Sequence, residues 1–329
     1  MRILAVKLSS LGDLFHSLPA VHNLKVGLDA RVDWLTQSDY AELVACFSDV
    51  DRVLRFPRRG FPSGLGRFVG ELRAAAYDYV IDFQGLLKSA VLTRAARGRQ
   101  RIGPSFHREG SRLFYSSVAG KPNRDRHAVE QNLDVVRFLG LERIDPVFPV
   151  DFPQVALAAG RPRVAVVPVS RWPTKNWPPA CFAQVARRLQ RVRGASVFLL
   201  GGARDAGVCE QIRRELEGDA ENLAGRCSLV QSGGVLREMD LLIANDSGPV
   251  HMAAAVHTPA LVLFGPTDPS RTGPYGEGHR VLTAPVPCRP CFSRVCRRPG
   301  IPCLTQITPE RAGDMALEML ANRADSQKS

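Results

Sequence analysis

Leu241–Pro269, LLIANDSGPVHMAAAVHTPALVLFGPTDP, decides how the rest of the chain is read. It opens on a short apolar run, Leu241–Ala244, with the length and composition of a buried strand. Asn245, Asp246, Ser247 and Gly248 break that run with residues suited to capping orphan backbone N–H groups at helix starts. The small residues from Pro249 to Val256 predict a helix with His251 in its first turn, and Ala260–Phe264 predicts a second buried strand. The turn Gly265-Pro266-Thr267-Asp268-Pro269 closes the unit. Strand–turn–helix–strand is the repeating unit of an open α/β sheet, where ligands bind beyond the carboxyl ends of strands. A helix start there offers free N–H donors and partial positive charge, which suits a phosphate. Asp246 is acidic in a place that otherwise favours anions. It is expected to cap the helix or to accept hydrogen bonds from a hydroxyl-rich ligand.

The same rhythm runs outward in both directions. In the first half, strands are expected at Ile3–Leu8, Arg31–Thr36, Arg52–Phe56 and Tyr79–Phe83. Ser9-Ser10-Leu11-Gly12-Asp13 reads as a turn before a helix from about Leu14 to Leu28, with Asp13 at the helix start, free to cap or to face a cleft. Pro57–Gly66 and residues 98–126 read as loops, and Leu86–Ala96 as a helix carrying Lys88 in its first turn. A lysine there opposes the helix dipole and suggests an anionic contact. In the second half, strands at Arg163–Pro168 and Ser196–Leu200 alternate with helices, and Pro309–Leu320 is the last helix. The Pro/Ala-rich passage 146–162 marks a boundary. The expectation is an α/β chain of two doubly wound, Rossmann-like domains facing across a cleft: 1–154, 155–322, and a flexible tail 323–329. The last helix could pack back on the first domain.

Bulk properties narrow the classes. The chain has 329 residues, 45% hydrophobic and 23% charged, which are globular values. It has no run of about 18 apolar residues to span a membrane, and MRILAVKLSSLGD is too short in apolar content for a signal peptide. A cytoplasmic protein is the expectation. The formal net charge is +12. Between Arg97 and Arg126 lie eight Lys/Arg against Glu109 and Asp125, a balance that favours nucleic acid, anionic lipid headgroups or phosphorylated sugars, unless these are solvated arginines only. No G-x-G-x-x-G is present, which disfavours a nicotinamide-dependent oxidoreductase.

Three strand-end loops of the second half carry polar groups: Ser170–Lys175, Gly201–Asp205 and Asp246–His251. On a parallel sheet they gather at one edge. Lys175 can pair with a phosphate, Ser170 and helix-start N–H groups can hydrogen-bond it, and His251 can add a donor. That outlines a nucleotide-diphosphate site. Lys7–Ser10 and Asp13 hold the matching edge of the first half.

Six segments make a joint pattern: ILAVKLSSLGDLFHSLPA (3–20), VIDFQGLLKSA (80–90), RHAVEQN (126–132), TKNWP (174–178), NDSGPVHMAAA (245–255) and FGPTDPSRTGPYG (264–276). Over nearly its whole length the chain resembles glycosyltransferase family 9, the bacterial ADP-heptose:lipopolysaccharide heptosyltransferases. Its first half looks most like the heptosyltransferase I branch. The resemblance implies a GT-B fold and inverting sugar transfer that requires no metal or cofactor. It implies an acceptor-binding first domain, a nucleotide-sugar-binding second domain, and Asp13 as catalytic base. It places Ser170, Arg171, Lys175, Asp246, Ser247, Gly248 and His251 on the donor side. Lys7, Ser10, Gln84, Lys88 and Arg101 fall on the acceptor side. The implied partners are ADP-heptose, a Kdo-lipid A type acceptor and, because that acceptor is lipid-linked, peripheral contact with the cytoplasmic face of the inner membrane. No nucleic acid is expected.

Two departures from the branch stand out. Ser170-Arg171 replaces a Thr pair, and Asp246-Ser247-Gly248 replaces D-T-G while keeping a hydroxyl. Cys288-Arg-Pro-Cys291-Phe-Ser-Arg-Val-Cys296, with Cys303 beyond, is an addition. Four such thiolates can hold a structural zinc or iron, and Arg289, Arg294, Arg297 and Arg298 favour the thiolate form; reduced thiols in a surface loop are the alternative. Two further alternatives concern function: the same chemistry on a second core heptose or a protein, and a nucleic-acid-binding protein built on the Cys cluster and Arg patch.

Overall fold

Each half of the chain builds one six-stranded sheet with every strand parallel. The structure is a computed structural model that describes residues 1–57, 61–123, 125–157 and 160–326, with the side chains of 61–63 and 324–326 set aside. The chain divides into two compact units, Met1–Asp151 and Phe152–Ser329.

The first unit contains β1 (Arg2–Val6), β2 (Arg31–Gln37), β3 (Arg52–Phe56), β4 (Ala76–Asp82), β5 (Arg97–Pro104) and β6 (Ser117–Ala119), in the order β3-β2-β1-β4-β5-β6. The second contains β7 (Arg163–Val167), β8 (Ser196–Leu199), β9 (Ala220–Asn222), β10 (Leu241–Asn245), β11 (Ala260–Leu263) and β12 (Arg280–Leu282), in the order β12-β11-β10-β7-β8-β9. Counted from its own first strand, each sheet has the Rossmann order 3-2-1-4-5-6. The central strands are apolar almost throughout because helices cover both sheet faces: β1 and β7 are buried beyond their first residue, and β10 is buried over its whole length.

In the first unit Leu4, Val6, Leu35, Leu54, Val80 and Leu92 form one core cluster, with Phe56 and Phe68 stacked edge to face. In the second, Val164, Val166, Trp177, Phe182, Leu199 and Ile243 do the same. Burial of that many large side chains, at roughly 1.5–3 kcal/mol each, is the main force assembling each sheet.

Several expectations need correction. The loop read at Pro57–Gly66 contains the start of a helix, Phe61–Arg73; residues 58–60 lie outside the described residues. That helix buries Phe68 and Leu72 against the sheet; the sequence predicts a helix only over Phe68–Ala76, because Gly64 and Gly66 hide its first turns. The basic stretch is not loop throughout: Arg97–Pro104 is β5. Its pairing with β6 begins only at Ile102, so the preceding residues lack a neighbour on that side and their arginines reach water. The last helix, Pro309–Ser326, packs on the helix Pro179–Arg193 of its own unit, placing Ala312, Ala316, Met319 and Leu320 in that core. It runs on through most of the tail expected at 323–329, of which 327–329 lie outside the described residues.

Candidate functional site

In a doubly wound sheet the crevice for a ligand opens where the strand order reverses. In the first unit that place lies between β1 and β4, and in the second between β7 and β10. The loops leaving these four strands contain most of the residues singled out from the sequence.

At the first reversal the helix Leu11–Gly27 begins directly after the β1 loop. Asp13 stands in its first turn. One carboxylate oxygen, Oδ2, accepts the Ser10 N–H at 3.1 Å and the Ser10 hydroxyl at 2.7 Å. The other, Oδ1, lies 3.8 Å from His16 Nδ1. The Asp13 side chain remains 44% exposed, so it caps and still faces solvent. Packing at the strand ends works against its charged form. The Lys7 ammonium, His16 and the Ser10 hydroxyl outweigh that and hold the carboxyl well below the usual carboxylate range. Lys7 itself is 5% exposed and donates from Nζ to Phe83 O at 2.7 Å. Burial lowers its proton affinity, and Asp13 and Asp82 partly restore it. Lys7 is thus a buried charge beneath Asp13 rather than an exposed contact for an acceptor.

The β4 loop locks this arrangement. Asp82, buried, accepts hydrogen bonds from Ser89 Oγ and Tyr115 OH at Oδ2, both at 2.7 Å, and from Gln84 N and Gly85 N at Oδ1. Gln84 Oε1 in turn accepts Leu8 N–H and Ser9 N–H, each at 3.2 Å. Its side-chain carbonyl therefore supports the backbone that presents Asp13. Gly85 has φ +70° and a Cβ there would meet Pro104 Cγ at 2.9 Å, so the turn requires glycine. Lys88 lies on the following helix, Leu87–Ala95, with Nζ 4.3 Å from the Phe56 ring centroid. Arg101 is different: it sits on β5 and its guanidinium donates to Ala96 O, before the start of the strand. In a parallel sheet that is the end opposite the Asp13 loop, so the structure does not bring Arg101 to the site.

At the second reversal Lys175 Nζ and Asp246 Oδ2 form an ion pair at 2.5 Å, with side chains 16% and 7% exposed. Thr267 Oγ1 donates to the same carboxylate oxygen at 2.6 Å. Asp246 therefore does not cap the following helix. That helix, Gly248–Ala255, has Ser247 as its N-cap residue without a side-chain cap bond, and Ser247 Oγ is buried with no hydrogen-bond partner among the described residues. An unsatisfied buried hydroxyl at the start of a helix is costly unless something binds there. His251, one turn in, is buried. Ser170 Oγ donates to Asn176 Oδ1 at 2.8 Å, which also accepts Ser170 N–H. Arg171 is exposed. Asn245 bridges the two strands, donating from Nδ2 to Pro168 O and accepting Trp177 N–H. Lys175 Nζ and Arg294 Cζ each lie 4.8 Å from the Trp172 ring centroid.

The cysteine loop packs against this edge through its backbone and the Arg289 side chain. Arg289 donates to Gly265 O and Thr267 O, Cys291 N and Phe292 N to Pro266 O, and Thr174 Oγ1 to Ser293 O. Cys288, Cys291, Cys296 and Cys303 are free thiols, and burial, reinforced by the other three, pushes the Cys303 thiol up. Among the described residues no three His, Cys, Asp or Glu side chains are placed to hold a metal ion. The expected zinc or iron site is therefore not assembled: hydrogen bonds to the Gly265–Thr267 turn, rather than a shared ligand, fix this loop.

Residues 65–301 match the family model for glycosyltransferase family 9 (heptosyltransferase). The chain belongs to glycosyltransferase family 9. This family 9 enzyme is 32% identical to lipopolysaccharide heptosyltransferase 1 of Pseudomonas aeruginosa, over 97% of its own chain and 98% of that protein. Its structure is similar to the E. coli heptosyltransferase WaaC with ADP, with a TM-score of 0.78 at 26% identity, covering 97% of this chain and 100% of that one. A family 9 glycosyltransferase from Veillonella parvula shares the fold at a TM-score of 0.84 and 21% identity, covering 98% of this chain and 97% of that one. These likenesses bear out the GT-B fold class and the glycosyltransferase reading. They lend the nucleic-acid alternative no support. Among the described residues no helix is long and apolar enough to cross a membrane.

Sequence reading missed Thr267, Asn176, Asn245, Asp82 and Tyr115 as parts of the two loop systems. Thr267, Asn176, Asn245 and Asp82 lie inside quoted motifs, and their neighbours there were the available signal. Tyr115, buried beneath the β4 loop, had none.

Proposed function

We propose that this glycosyltransferase moves heptose from ADP-heptose to a Kdo-containing inner-core lipopolysaccharide acceptor with inversion at the anomeric carbon. The first unit takes the acceptor, the second takes the donor, and the work is done at the cytoplasmic face of the inner membrane. The observation that carries the reading is Asp13: a solvent-facing carboxylate, held ionised by a buried lysine, at the strand-order reversal of its sheet. Supporting it are the relative named for lipopolysaccharide heptose transfer and the WaaC structure with ADP.

The acceptor hydroxyl forms the new bond to the anomeric carbon as the bond to the diphosphate breaks and ADP leaves. Asp13 takes the hydroxyl proton. A carboxylate held this far below the operating pH is a weak base in the ground state. It accepts the proton only once bond formation has made the hydroxyl acidic. Before that, its fixed negative charge orients the hydroxyl and offsets the positive charge growing on the sugar ring. On the donor side the diphosphate draws Lys175 from Asp246, fills the unsatisfied position at Ser247 Oγ, and meets the N–H groups of the helix Gly248–Ala255. Ser170, Arg171 and His251 line the same site.

The test is ADP release from ADP-heptose with deacylated Kdo-lipid A. Turnover with this pair, and none with a heptosylated core acceptor, supports the assignment. Turnover only with the heptosylated core or with a protein acceptor keeps the chemistry and replaces the acceptor.

A further inference from the structure

The helix Leu87–Ala95 buries Ser89, Ala90, Leu92 and Thr93. Its other face exposes Leu87 (43%) and Val91 (45%), with Arg94 in the same stripe at the next turn. Positions i, i+4 and i+7 lie along one side of a helix. Packed beside this helix is the short 3-10 turn Ser111–Phe114, at whose tip Leu113 is 88% exposed. Arg108 and Arg112 flank it and are exposed. No ion pair engages Arg94, Arg108 or Arg112 among the described residues. The nearby acid, Glu109, is occupied by Leu87 N–H at 3.2 Å. Leu113 projects almost uncovered, and Leu87 and Val91 keep close to half their surface in water, beside three arginines that no acid pairs among the described residues; Arg112 makes one hydrogen bond, from Nη1 to Tyr115 O at 3.0 Å.

We propose that Leu87, Val91 and Leu113, with Arg94, Arg108 and Arg112, form a docking surface for an anionic phospholipid bilayer. The aliphatic tips enter the headgroup layer while the arginines meet lipid phosphates. An apolar tip set in a cationic ring matches the two contributions to interfacial binding, buried apolar area and attraction to anionic lipid. A soluble protein partner would be expected to need a broader apolar area than three side chains. The surface deepens the reading of a lipid-linked acceptor and rests on it for its purpose, though its evidence is its own.

The experiment is co-sedimentation of the full chain with vesicles of phosphatidylglycerol and phosphatidylethanolamine, and with phosphatidylcholine vesicles. Binding to the anionic vesicles that weakens with salt is expected, with little binding to phosphatidylcholine. Removing Arg108 and Arg112 together, as alanines, should weaken it by roughly tenfold or more, about fivefold for each charge. Val91→Asp with Leu113→Asp should abolish it. Arg143→Ala, an exposed arginine elsewhere on the unit, serves as the charge control and should change binding little. The aspartate pair should still release ADP with the water-soluble deacylated acceptor, which separates failure of docking from failure of sugar transfer. Wild-type protein that ignores anionic vesicles, or aspartate variants that bind as it does, would overturn the proposal. Equal binding to phosphatidylcholine would overturn the role of the arginines.

Discussion

The two strand-order reversals are built from the same topology with opposite electrostatics. In the first unit the cation is buried and the anion faces water: Lys7 is 5% exposed and Asp13 is 44% exposed. In the second, cation and anion are withdrawn together as Lys175 and Asp246, and among the described residues what remains unsatisfied is the Ser247 hydroxyl at a helix start. The first site presents negative charge to a ligand. The second holds its positive charge in reserve until a stronger anion arrives. One fold thus supplies a place for a hydroxyl that must lose a proton and another for a diphosphate that must leave.

The largest expected effect breaks the comparison at its exposed anion. Asp13→Asn keeps an acceptor for Ser10 and removes the charge, so ADP release should fall by about 10²–10⁴-fold, with some loss of stability because the buried Lys7 ammonium loses an anion that supports it. Undiminished turnover would remove Asp13 from the reaction. The next effect falls on the second site. Lys175→Met leaves Asp246 buried with only Thr267, and should cost ~3–5 kcal/mol in urea denaturation, together with donor binding. Adding Asp246→Leu should recover much of the stability and none of the binding. If the double variant recovers both, the pair is structural only.

Lys7→Met tests the other half of the contrast. With Lys7 present, Asp13 stays ionised below the usual carboxylate range, so the wild-type enzyme should keep its turnover as pH falls toward about 4. Without that ammonium the folded-state affinity of Asp13 for a proton rises, and the acid limb of the kcat/KM profile should move up toward the ordinary carboxylate value. An acid limb that does not move would show that Lys7 does not set the charge of Asp13. The smallest effect is Thr267→Val, which removes one hydrogen bond to Asp246. It should cost ~1 kcal/mol of stability and weaken ADP-heptose binding by a few-fold, measured by calorimetry.

Much of this was legible in the amino-acid order. Leu241–Phe264 spells its strand, helix and strand directly, because a buried parallel strand is a short apolar run and a helix start needs small capping residues. The motif residues on both loop systems could be named for the same reason. What misled was charge and glycine. Residues 98–101 looked like loop because the stretch is cationic and contains glycine, yet only one side of that strand lacks a partner. Gly64 and Gly66 looked like loop because glycine weakens a helix, yet Phe68 and Leu72 supply enough burial to hold one. Arg101 was assigned to the acceptor from its position in a basic stretch, and only strand direction shows that it points to the wrong end.

The sequence by itself determined two α/β halves, the acid at the end of β1, the small-residue helix start after β10, and the family pattern that joins them. The first three are local properties, written in hydrophobic period and capping chemistry; the last is a likeness of motifs. The tertiary structure alone decided that Lys175 meets Asp246 across 71 positions, and that Gln84 carries the backbone at Leu8 across 76. It also decided that four cysteines close in sequence are not placed, among the described residues, to hold a metal ion. Periodicity records which side of an element is buried, but not which distant element lies against it. That choice belongs to the order of the strands, which side chains settle together only when the whole sheet forms.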